Sequence, residues 1–293
     1  MRFLIYYWSR LQGYLLAKLV EGLDFVSVVS CEPATALDIL RMVGPGADAV
    51  ILHIDQTFDD TLIPPVVRHL LVGRLNEVGI RVLNGAVADI SKRTIHRHSR
   101  RIGLPDPTAG PLGDDDELLI VKTDLNCGGN PEHYFGGRPR GPVISGPADY
   151  RILPRGEVPP DWWAAGGLCI ERFIGNAEDE FYRFHLLGDR AVVSEARSEH
   201  AIKRLDGTCP QVDHCTDLDE ISAWTPGGPE SWAEAAWSAA TFARTFGLDY
   251  GAIDVLRDDQ GHYYVIDVNK TPYWGADIEN AITTHLRSWL SPP

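Results

Sequence analysis

The last two predicted strands constrain the fold of this chain more than any other feature. The stretch YGAIDVLRDDQGHYYVIDVN contains two strand-like runs joined by the turn-forming residues DDQG. If residues 258–261 form the turn, Asp254 lies opposite Val265. Side chains alternate between the faces of a strand, so Asp254 then shares one face with Asp267 and Asn269. The opposite, apolar face consists of Ile253, Val255, Ile266 and Val268.

The polar face of this hairpin admits two interpretations. Two carboxylates and one amide oxygen are hard donors, and a small set of them suits Mg²⁺, which keeps the rest of its shell for water and phosphate. A magnesium-nucleotide site is therefore one hypothesis. The alternative is the solvent-facing side of an edge hairpin, where Asp and Asn cost little, and the hairpin alone does not decide between the two.

Cationic residues upstream favour the nucleotide site. The chain is acidic, with 27 Lys and Arg against 41 Asp and Glu. Lys122 ends an apolar strand and precedes a glycine-rich loop, an arrangement that can hold phosphates, although a surface lysine is the ordinary alternative. Lys92 lies in an unusually basic helix, and Arg183 and Arg197 lie in later strands. Cations placed near acidic metal ligands indicate a bound anion.

Composition also excludes several classes of protein. A net charge of −14 repels phosphate backbones and acidic membranes, so we expect no nucleic-acid and no membrane partner. The apolar N-terminus contains Arg10 and Lys18 and lacks a small-residue cleavage site, which favours a strand and a helix over a signal peptide. Five cysteines without paired spacing predict reduced thiols in a cytoplasmic protein. Cys209, His214 and Cys215 could be ligands of one metal ion, but structural zinc needs four ligands and no second close pair of ligands follows.

The first hundred residues predict a small open α/β domain, because the strand-like runs RFLIYYW, ADAVILHID and IRVLN alternate with helical patterns. From about Asn84 to Gly275, the order of the motifs resembles the ATP-grasp superfamily of carboxylate-amine ligases, which includes D-alanine:D-alanine ligase, glutathione synthetase and the ribosomal-protein glutamate ligases. The resemblance implies an α/β (α+β) ATP-grasp fold with three parts. These are an N-terminal α/β domain over 1–105, a central lid over 106–180 and a C-terminal antiparallel-sheet domain over 181–293.

The resemblance implies an ATP site built from two lysines, a glycine loop and a linker strand. Glu171, Arg172 and Phe173 would lie at the base of the adenine site, and Glu178 or Asp179 would meet the ribose hydroxyls. The full set implied in ATP binding is Lys92, Lys122, Gly128, Gly129, Glu171, Arg172, Phe173, Glu178 and Asp179.

The metal ligands implied by the resemblance are Asp254, Asp267 and Asn269, holding one or two Mg²⁺ ions. Arg183 and Arg197 are the implied catalytic residues. The implied reaction is ADP-forming: a substrate carboxylate is activated as an acyl phosphate, which an amine then captures. Positioning and charge stabilisation can carry such a phosphoryl transfer.

The acceptor side is less defined, and we expect small-molecule carboxylate and amine substrates. The candidate contacts are His53, Asp55, His200, Lys203, Lys270 and Tyr273. A structural role for His53 and a solvated surface position for Lys203 are open alternatives. Two other functions also stay open, namely an ATP-grasp kinase that phosphorylates a hydroxyl and an ATP-binding regulatory protein without turnover. The oligomeric state is open, with a homodimer among the options.

Overall fold

The computed structural model describes residues 3–8, 14–23, 26–30, 47–60, 62–129, 132, 150–203, 209–224, 230–274 and 280–290. They form three sheets, of four, three and five strands. Most of the glycine-rich loop that the sequence places after Lys122 lies outside these residues, as do Arg10 and Cys31. Within the described part of the chain, no helix combines the length and the hydropathy that a membrane span requires.

The four-stranded sheet is parallel, in the order β2-β1-β3-β4, and it confirms the predicted N-terminal α/β unit. Every residue of β3 is buried, as expected for a parallel strand that is covered on both faces. One face packs on α2 and the other packs against the large sheet and α6. The elements of this part are β1 (Phe3–Trp8), α1 (Leu15–Val20), β2 (Val26–Ser30), β3 (Ala49–Ile54), α2 (Pro65–Glu77) and β4 (Arg81–Leu83).

The three-stranded sheet is antiparallel, in the order β6-β5-β7, and it follows the basic helix α3. Its register pairs Lys122 with Cys169 and Ile120 with Glu171, so Lys122 and Glu171 project to the same face. The elements are α3 (Lys92–Arg101), β5 (Leu118–Thr123), β6 (Arg151–Pro154) and β7 (Leu168–Arg172), with short 3-10 turns at Asn126–Gly129, Arg155–Glu157 and Pro160–Ala164.

The five-stranded sheet is antiparallel, in the order β10-β9-β8-β11-β12. A hairpin turn at Gly188 and Asp189 joins β8 to β9, since Leu187 pairs with Arg190 across it. Helix α5 packs its alanine-rich side on one face, which forms the largest core cluster. The elements are β8 (Glu180–Leu187), β9 (Arg190–Arg197), β10 (Gln211–Asp217), α4 (Leu218–Ala223), α5 (Ser231–Phe246), β11 (Tyr250–Arg257), β12 (Tyr263–Asn269) and α6 (Ala281–Arg287), followed by a 3-10 turn at Ser288–Leu290.

The predicted register of the last hairpin is wrong by one residue between Arg257 and Val255 and by two residues at Asp254. Asp254 lies opposite Asp267 and not opposite Val265, because the ladder shifts between Asp254 and Val255. This bulge allows both Val265 and Val268 to enter the core, and it leaves Ile266 half-buried on a strand where alternation placed it inside. The domain boundaries at 105 and 180 stay predictions.

Candidate functional site

The paired carboxylates of β11 and β12 each have a cationic partner. Asp254 is directly opposite Asp267, and Asn269 lies two residues further along the same strand. Arg183, opposite Asp254 on β8, donates two hydrogen bonds to it, from Nε at 2.7 Å and from a terminal nitrogen at 2.8 Å. Lys92 Nζ lies 3.4 Å from Asp267 Oδ1. The structure thus brings five of the predicted site residues together from α3, β8, β11 and β12.

The donor set of this pair suits a divalent cation. Asp254 and Asp267 are partly exposed, with side-chain exposures of 15% and 33%, so their oxygens are accessible. Asn269 Oδ1 accepts a hydrogen bond from the Thr271 backbone N–H at 2.9 Å, which fixes the amide and leaves a second lone pair. Three hard oxygen donors without histidine or cysteine match the chemistry of Mg²⁺.

Lys92 is buried at the start of α3, where it joins two parts of the site. Besides its contact with Asp267, its ammonium group donates to the Leu125 carbonyl at 3.3 Å. Burial, the largest single influence, would lower the pKa of Lys92, but Asp267 and the other acidic groups around it, among them Glu171, together outweigh burial and raise the pKa above its usual value. Lys92 therefore stays charged between the hairpin and the segment after β5.

Glu171 holds Lys122 inside the three-stranded sheet. Glu171 Oε2 accepts from Lys122 Nζ at 2.7 Å, and Oε1 lies 3.0 Å from His96 Nε2. Burial would raise the pKa of Glu171, but the Lys122 ammonium and the His96 ring reverse this and hold the pKa at about 2. The carboxylate is therefore turned towards Lys122, whereas the resemblance implied a place at the adenine base. Sequence reasoning missed His96, although its position one helical turn after Lys92 on α3 could have revealed it.

Gly128 and Gly129 lie in a tight turn directly after β5. Their φ angles are +69° and +83°, in the left-handed region that favours glycine. A Cβ atom on Gly129 would lie 2.8 Å from Leu125 Cδ1. This turn therefore requires glycine for its own geometry, and its predicted contact with phosphates stays a prediction.

A cleft of about 300 Å³ lies beside the linker that leaves β7. Arg172, Phe173 and Tyr264 are among its lining residues. The linker is tied to the turn of the last hairpin, because Asp259 accepts a hydrogen bond from the Ala177 N–H at 2.7 Å. Tyr264 lies opposite Leu256, which is two residues from Asp254 on β11, so Tyr264 and Asp254 project from the same face of the sheet. One lining residue of the cleft therefore projects from the side of the sheet that carries the carboxylate pair.

The structure does not bring Arg197 to the carboxylate pair. Arg197 lies opposite Glu180 in the β8–β9 ladder, so it projects to the face that carries Tyr182, opposite to the face of Arg183. It is exposed and pairs at 3.6 Å with the equally exposed Glu178. Arg183 lies opposite Ser194, three residues from Arg197, so the two arginines project from opposite faces of the sheet. The catalytic role of Arg197 stays a prediction.

Two predicted contacts near this edge also bind each other. Lys203 donates to Asp179 and, at 2.7 Å, to the Ser198 carbonyl. This ion pair ties the segment after β9 to the start of β8, which is a structural role for both residues. His200 is half-buried in the same segment. Roles for Glu178 and Asp179 at a ribose, and for His200 and Lys203 at a substrate, stay predictions.

Lys270 is enclosed in a buried ion cluster directly after β12. Its side chain is 1% exposed and its ammonium group donates to Asp59, which also binds Arg68. Burial, which the charge of Asp59 opposes, lowers the pKa of Lys270. Lys270 joins the end of β12 to the segment after β3, and its contact with a substrate stays a prediction.

Asp55 and His53 lie on the same side of the chain at the end of β3. Asp55 accepts from the Tyr14 hydroxyl and from the Thr271 hydroxyl, the latter at 2.8 Å. His53 is fully buried, with the ring of Tyr14 5.1 Å away and no hydrogen-bond partner for either nitrogen among the described residues. Tyr273 is 64% exposed, and its ring lies 5.9 Å from that of Tyr14. These residues form a second polar group next to the carboxylate pair, joined to it through Thr271.

Comparisons with known proteins agree with this architecture. No protein-family model matches the chain. Probable alpha-L-glutamate ligases from three strains of Xanthomonas campestris pv. campestris are 27% identical to it over 203 residues, which is 64% of this chain and 61% of each relative. The match therefore spans less than two thirds of the length of these relatives.

Solved structures of ATP-grasp ligases resemble the whole arrangement of sheets. An L-amino acid ligase from Bacillus licheniformis matches with a TM-score of 0.51 and 14% identity, covering 92% of this chain and 67% of that one. The ATP-grasp ligase PsnB, complexed with its minimal precursor, matches with a TM-score of 0.49 and 16% identity over 92% of this chain and 91% of that one. The order of the sheets, together with the match to the L-amino acid ligase, shows that the chain has the ATP-grasp fold.

Proposed function

We propose that this protein is an ATP-dependent, ADP-forming ligase that activates a substrate carboxylate as an acyl phosphate and joins it to an amine. One observation carries the proposal: Arg183 and Lys92 contact the carboxylates of Asp254 and Asp267, on the same sheet face as Tyr264 of the cleft at the linker. Cations and hard oxygen donors so close together suit the metal-bound triphosphate of a nucleotide.

The relatives support a ligase. The Xanthomonas proteins that match about two thirds of this chain are named probable alpha-L-glutamate ligases, and forming an amide with glutamate requires a carboxylate and an amine. The ATP-grasp fold adds the nucleotide, because one solved neighbour contains ADP and Mg. Together they favour ligation over a binding module without chemistry.

Each charged residue of the site has a role in this proposal. Asp254, Asp267 and Asn269 would hold Mg²⁺, which when bound neutralises charge on the phosphates. Arg183 and Lys92 would then exchange their carboxylate partners for phosphate oxygens. Lys122 is fixed by Glu171 and adds a further charge from the three-stranded sheet. Such positioning and charge stabilisation are what phosphoryl transfer requires of a protein.

The reaction has two steps. An oxygen of the substrate carboxylate attacks the γ-phosphorus, and the bond to ADP breaks. The amine nitrogen then attacks the acyl carbon, the bond to the phosphate oxygen breaks, and inorganic phosphate leaves with the amide as product. A kinase would stop after transferring the phosphoryl group to a hydroxyl, and a regulatory protein would not form ADP.

Trapping with hydroxylamine tests this proposal. The protein is incubated with MgATP, hydroxylamine and each of the twenty L-amino acids, and both ADP and hydroxamate are measured. A ligase forms hydroxamate and ADP in equal amounts with at least one carboxylate. ADP formation with a hydroxyl compound and no hydroxamate would favour the kinase, and no ADP in any mixture would contradict enzymatic turnover.

A further inference from the structure

Asp55 is a buried carboxylate whose partners are neutral. Its hydrogen bonds come from the hydroxyl groups of Tyr14 and Thr271. These donors satisfy its oxygens but do not cancel its charge. Burial raises the pKa of Asp55, and the charge of Glu132 acts in the same direction, whereas the two hydrogen bonds and the charge of Lys270 only partly oppose the rise.

Glu132 reaches the same place from the segment that follows β5. Its Oε1 accepts from the backbone N–H of Thr57 at 2.6 Å, two residues after Asp55. The residue is 8% exposed, and its buried Oε2 has no hydrogen-bond partner within the part of the chain that the structure describes. An unpartnered buried carboxylate oxygen is costly, which points to a ligand that donates to it.

The charges around these two residues do not balance among the described residues. Asp55, Asp59 and Glu132 are acidic, whereas the cations within electrostatic reach are Lys270 and Arg68, and both pair with Asp59. His53 adds no positive charge, because burial, followed by the charge of Lys270, lowers its pKa to about 3. The cluster therefore has one carboxylate more than it has cations.

We infer that Asp55 and Glu132 bind the amino group of the acceptor substrate as an ammonium ion, which passes one proton to one of these carboxylates before its nitrogen attacks the acyl carbon. This assignment rests on the proposed ligase function and names the ligand class of its acceptor site, a primary amine. An ammonium group has three donors, and the acceptors that this cluster offers are the Asp55 carboxylate together with Glu132 Oε2 and a nitrogen of the neutral His53 ring, both without a partner among the described residues. The rings of Tyr14 and Tyr273 lie at its edge, and aromatic faces attract ammonium groups.

The position of this amine site agrees with the order of the reaction. Thr271 donates from its hydroxyl to Asp55 and from its backbone N–H to Asn269 Oδ1. Thr271 therefore connects the amine site directly to Asn269, a proposed magnesium ligand, and the activated carbonyl would form near that ligand. A bare metal ion fits less well, since a hard cation needs about six oxygen ligands and the hydroxyl groups here donate to Asp55.

Amino acid amides test the inference, because they have a free amine and no carboxylate. Calorimetric titration of the full chain compares a set of L-amino acid amides with their N-acetylated forms and with MgCl2 alone. The variants are Asp55→Asn and Glu132→Gln, which keep an oxygen acceptor for Thr271 and Thr57. Exposed Glu77→Gln and Asp219→Asn are the matched controls for loss of one negative charge. The thermal midpoint of each protein shows whether it is folded.

We expect at least one amide to bind the wild type and both controls, and to bind each site variant at least tenfold more weakly, while its N-acetylated form does not bind. Equal affinity in the site variants, or no saturable binding of any amide by the wild type, would overturn the inference. So would tight MgCl2 binding that the site variants lose. The hydroxamate assay separates the two proposals. If the wild type forms hydroxamate but the site variants bind the amides as tightly as the wild type does, only the amine site is refuted. If the site variants lose affinity for the amides but the wild type forms no hydroxamate, only the ligase function is refuted.

Discussion

Arg183 and Asp254 face each other across β8 and β11 and form a double hydrogen bond that occupies both oxygens of the carboxylate. A guanidinium group and a divalent cation therefore compete for the same acceptor. This competition distinguishes the structure from a preformed metal site, because the metal ion must either displace Arg183 from the Asp254 carboxylate or share that carboxylate with it.

Arg183→Met is expected to change metal binding and turnover in opposite directions. Removing the guanidinium group leaves Asp254 available, so Mn²⁺ should bind the nucleotide-free protein several-fold more tightly. The same change removes a cation from the phosphates and should lower the turnover rate by about 10²-fold. Titration of Mn²⁺ by electron paramagnetic resonance and an ADP assay measure the two effects. A variant with weaker Mn²⁺ binding would show that Arg183 does not compete for Asp254.

Asp267→Asn tests the oxygen donor set itself. The substitution keeps the size of the side chain but removes the charge opposite Asp254, so turnover with MgATP should fall by at least about 10²-fold. Asp219→Asn, at a position that is 96% exposed, removes the same charge far from any described site residue. The assignment of the metal site is wrong if the two variants form ADP at similar rates.

Arg197→Met should have little effect, because Arg197 projects from the other face of the sheet and pairs only with exposed Glu178 among the contacts seen. We expect the turnover rate and the KM for ATP to change by less than about threefold, and stability by less than about 1 kcal/mol. Steady-state kinetics beside Arg183→Met provide the comparison. A loss as large as that of Arg183→Met would return Arg197 to the catalytic set.

Glu171→Gln is expected to destabilise the protein in a pH-dependent way. Loss of the carboxylate leaves the Lys122 ammonium buried without its partner, which costs about 3 kcal/mol or more near neutral pH. The folded-state pKa of Glu171 is depressed to about 2, so its contribution is present above the unfolded pKa and is lost as the pH falls from about 4 towards 2. Urea unfolding at several pH values should show the difference between wild type and variant shrinking over that range. In the double variant Glu171→Gln, Lys122→Met, the loss should be smaller than the sum of the single losses.

Lys270→Met tests whether this lysine is structural. The change leaves Asp59 with Arg68 alone inside the protein and should reduce the free energy of unfolding by about 3 kcal/mol or more. As a comparison, Lys18→Met, at a half-buried side chain whose partner Glu21 is 69% exposed, should cost less than about 1 kcal/mol. A stable Lys270→Met protein with a strongly raised KM for a carboxylate would instead place Lys270 at the substrate.

The elements that could be predicted from sequence are those encoded locally. The spacing of apolar residues, helix-terminating residues and turn residues predicts the strands β3, β5 and β11, the helix α3 and the turn at Gly188. The shared face of Asp254 and Asp267 was also predictable from alternation. The bulge at Ile266 was not, because it depends on how Val265 and Val268 both reach the core beneath α5.

The remaining differences involve partners far apart in the chain. Lys270 and Asp59 are separated by 211 positions, so no local pattern shows that they bind each other. The same holds for Arg183 and Asp254, 71 positions apart, whose pairing depends on strand order in the sheet. His96 is the exception, since its helical spacing from Lys92 was visible in the sequence.

The hydrogen bonds of Thr271 to Asn269 and Asp55 have a consequence for how the protein could move. Asn269 and Thr271 are two positions apart, so a segment of at most about 7 Å of backbone joins the proposed metal ligand to the proposed amine site. A hinge motion of the three-stranded sheet would move Glu132, which follows β5, but would leave Asp55, Thr271 and Asn269 in place. The distance between Asp55 and the proposed metal ligand Asn269 would then stay constant. Closure of the three-stranded sheet would change the position of Glu132 and the access of substrates to the site.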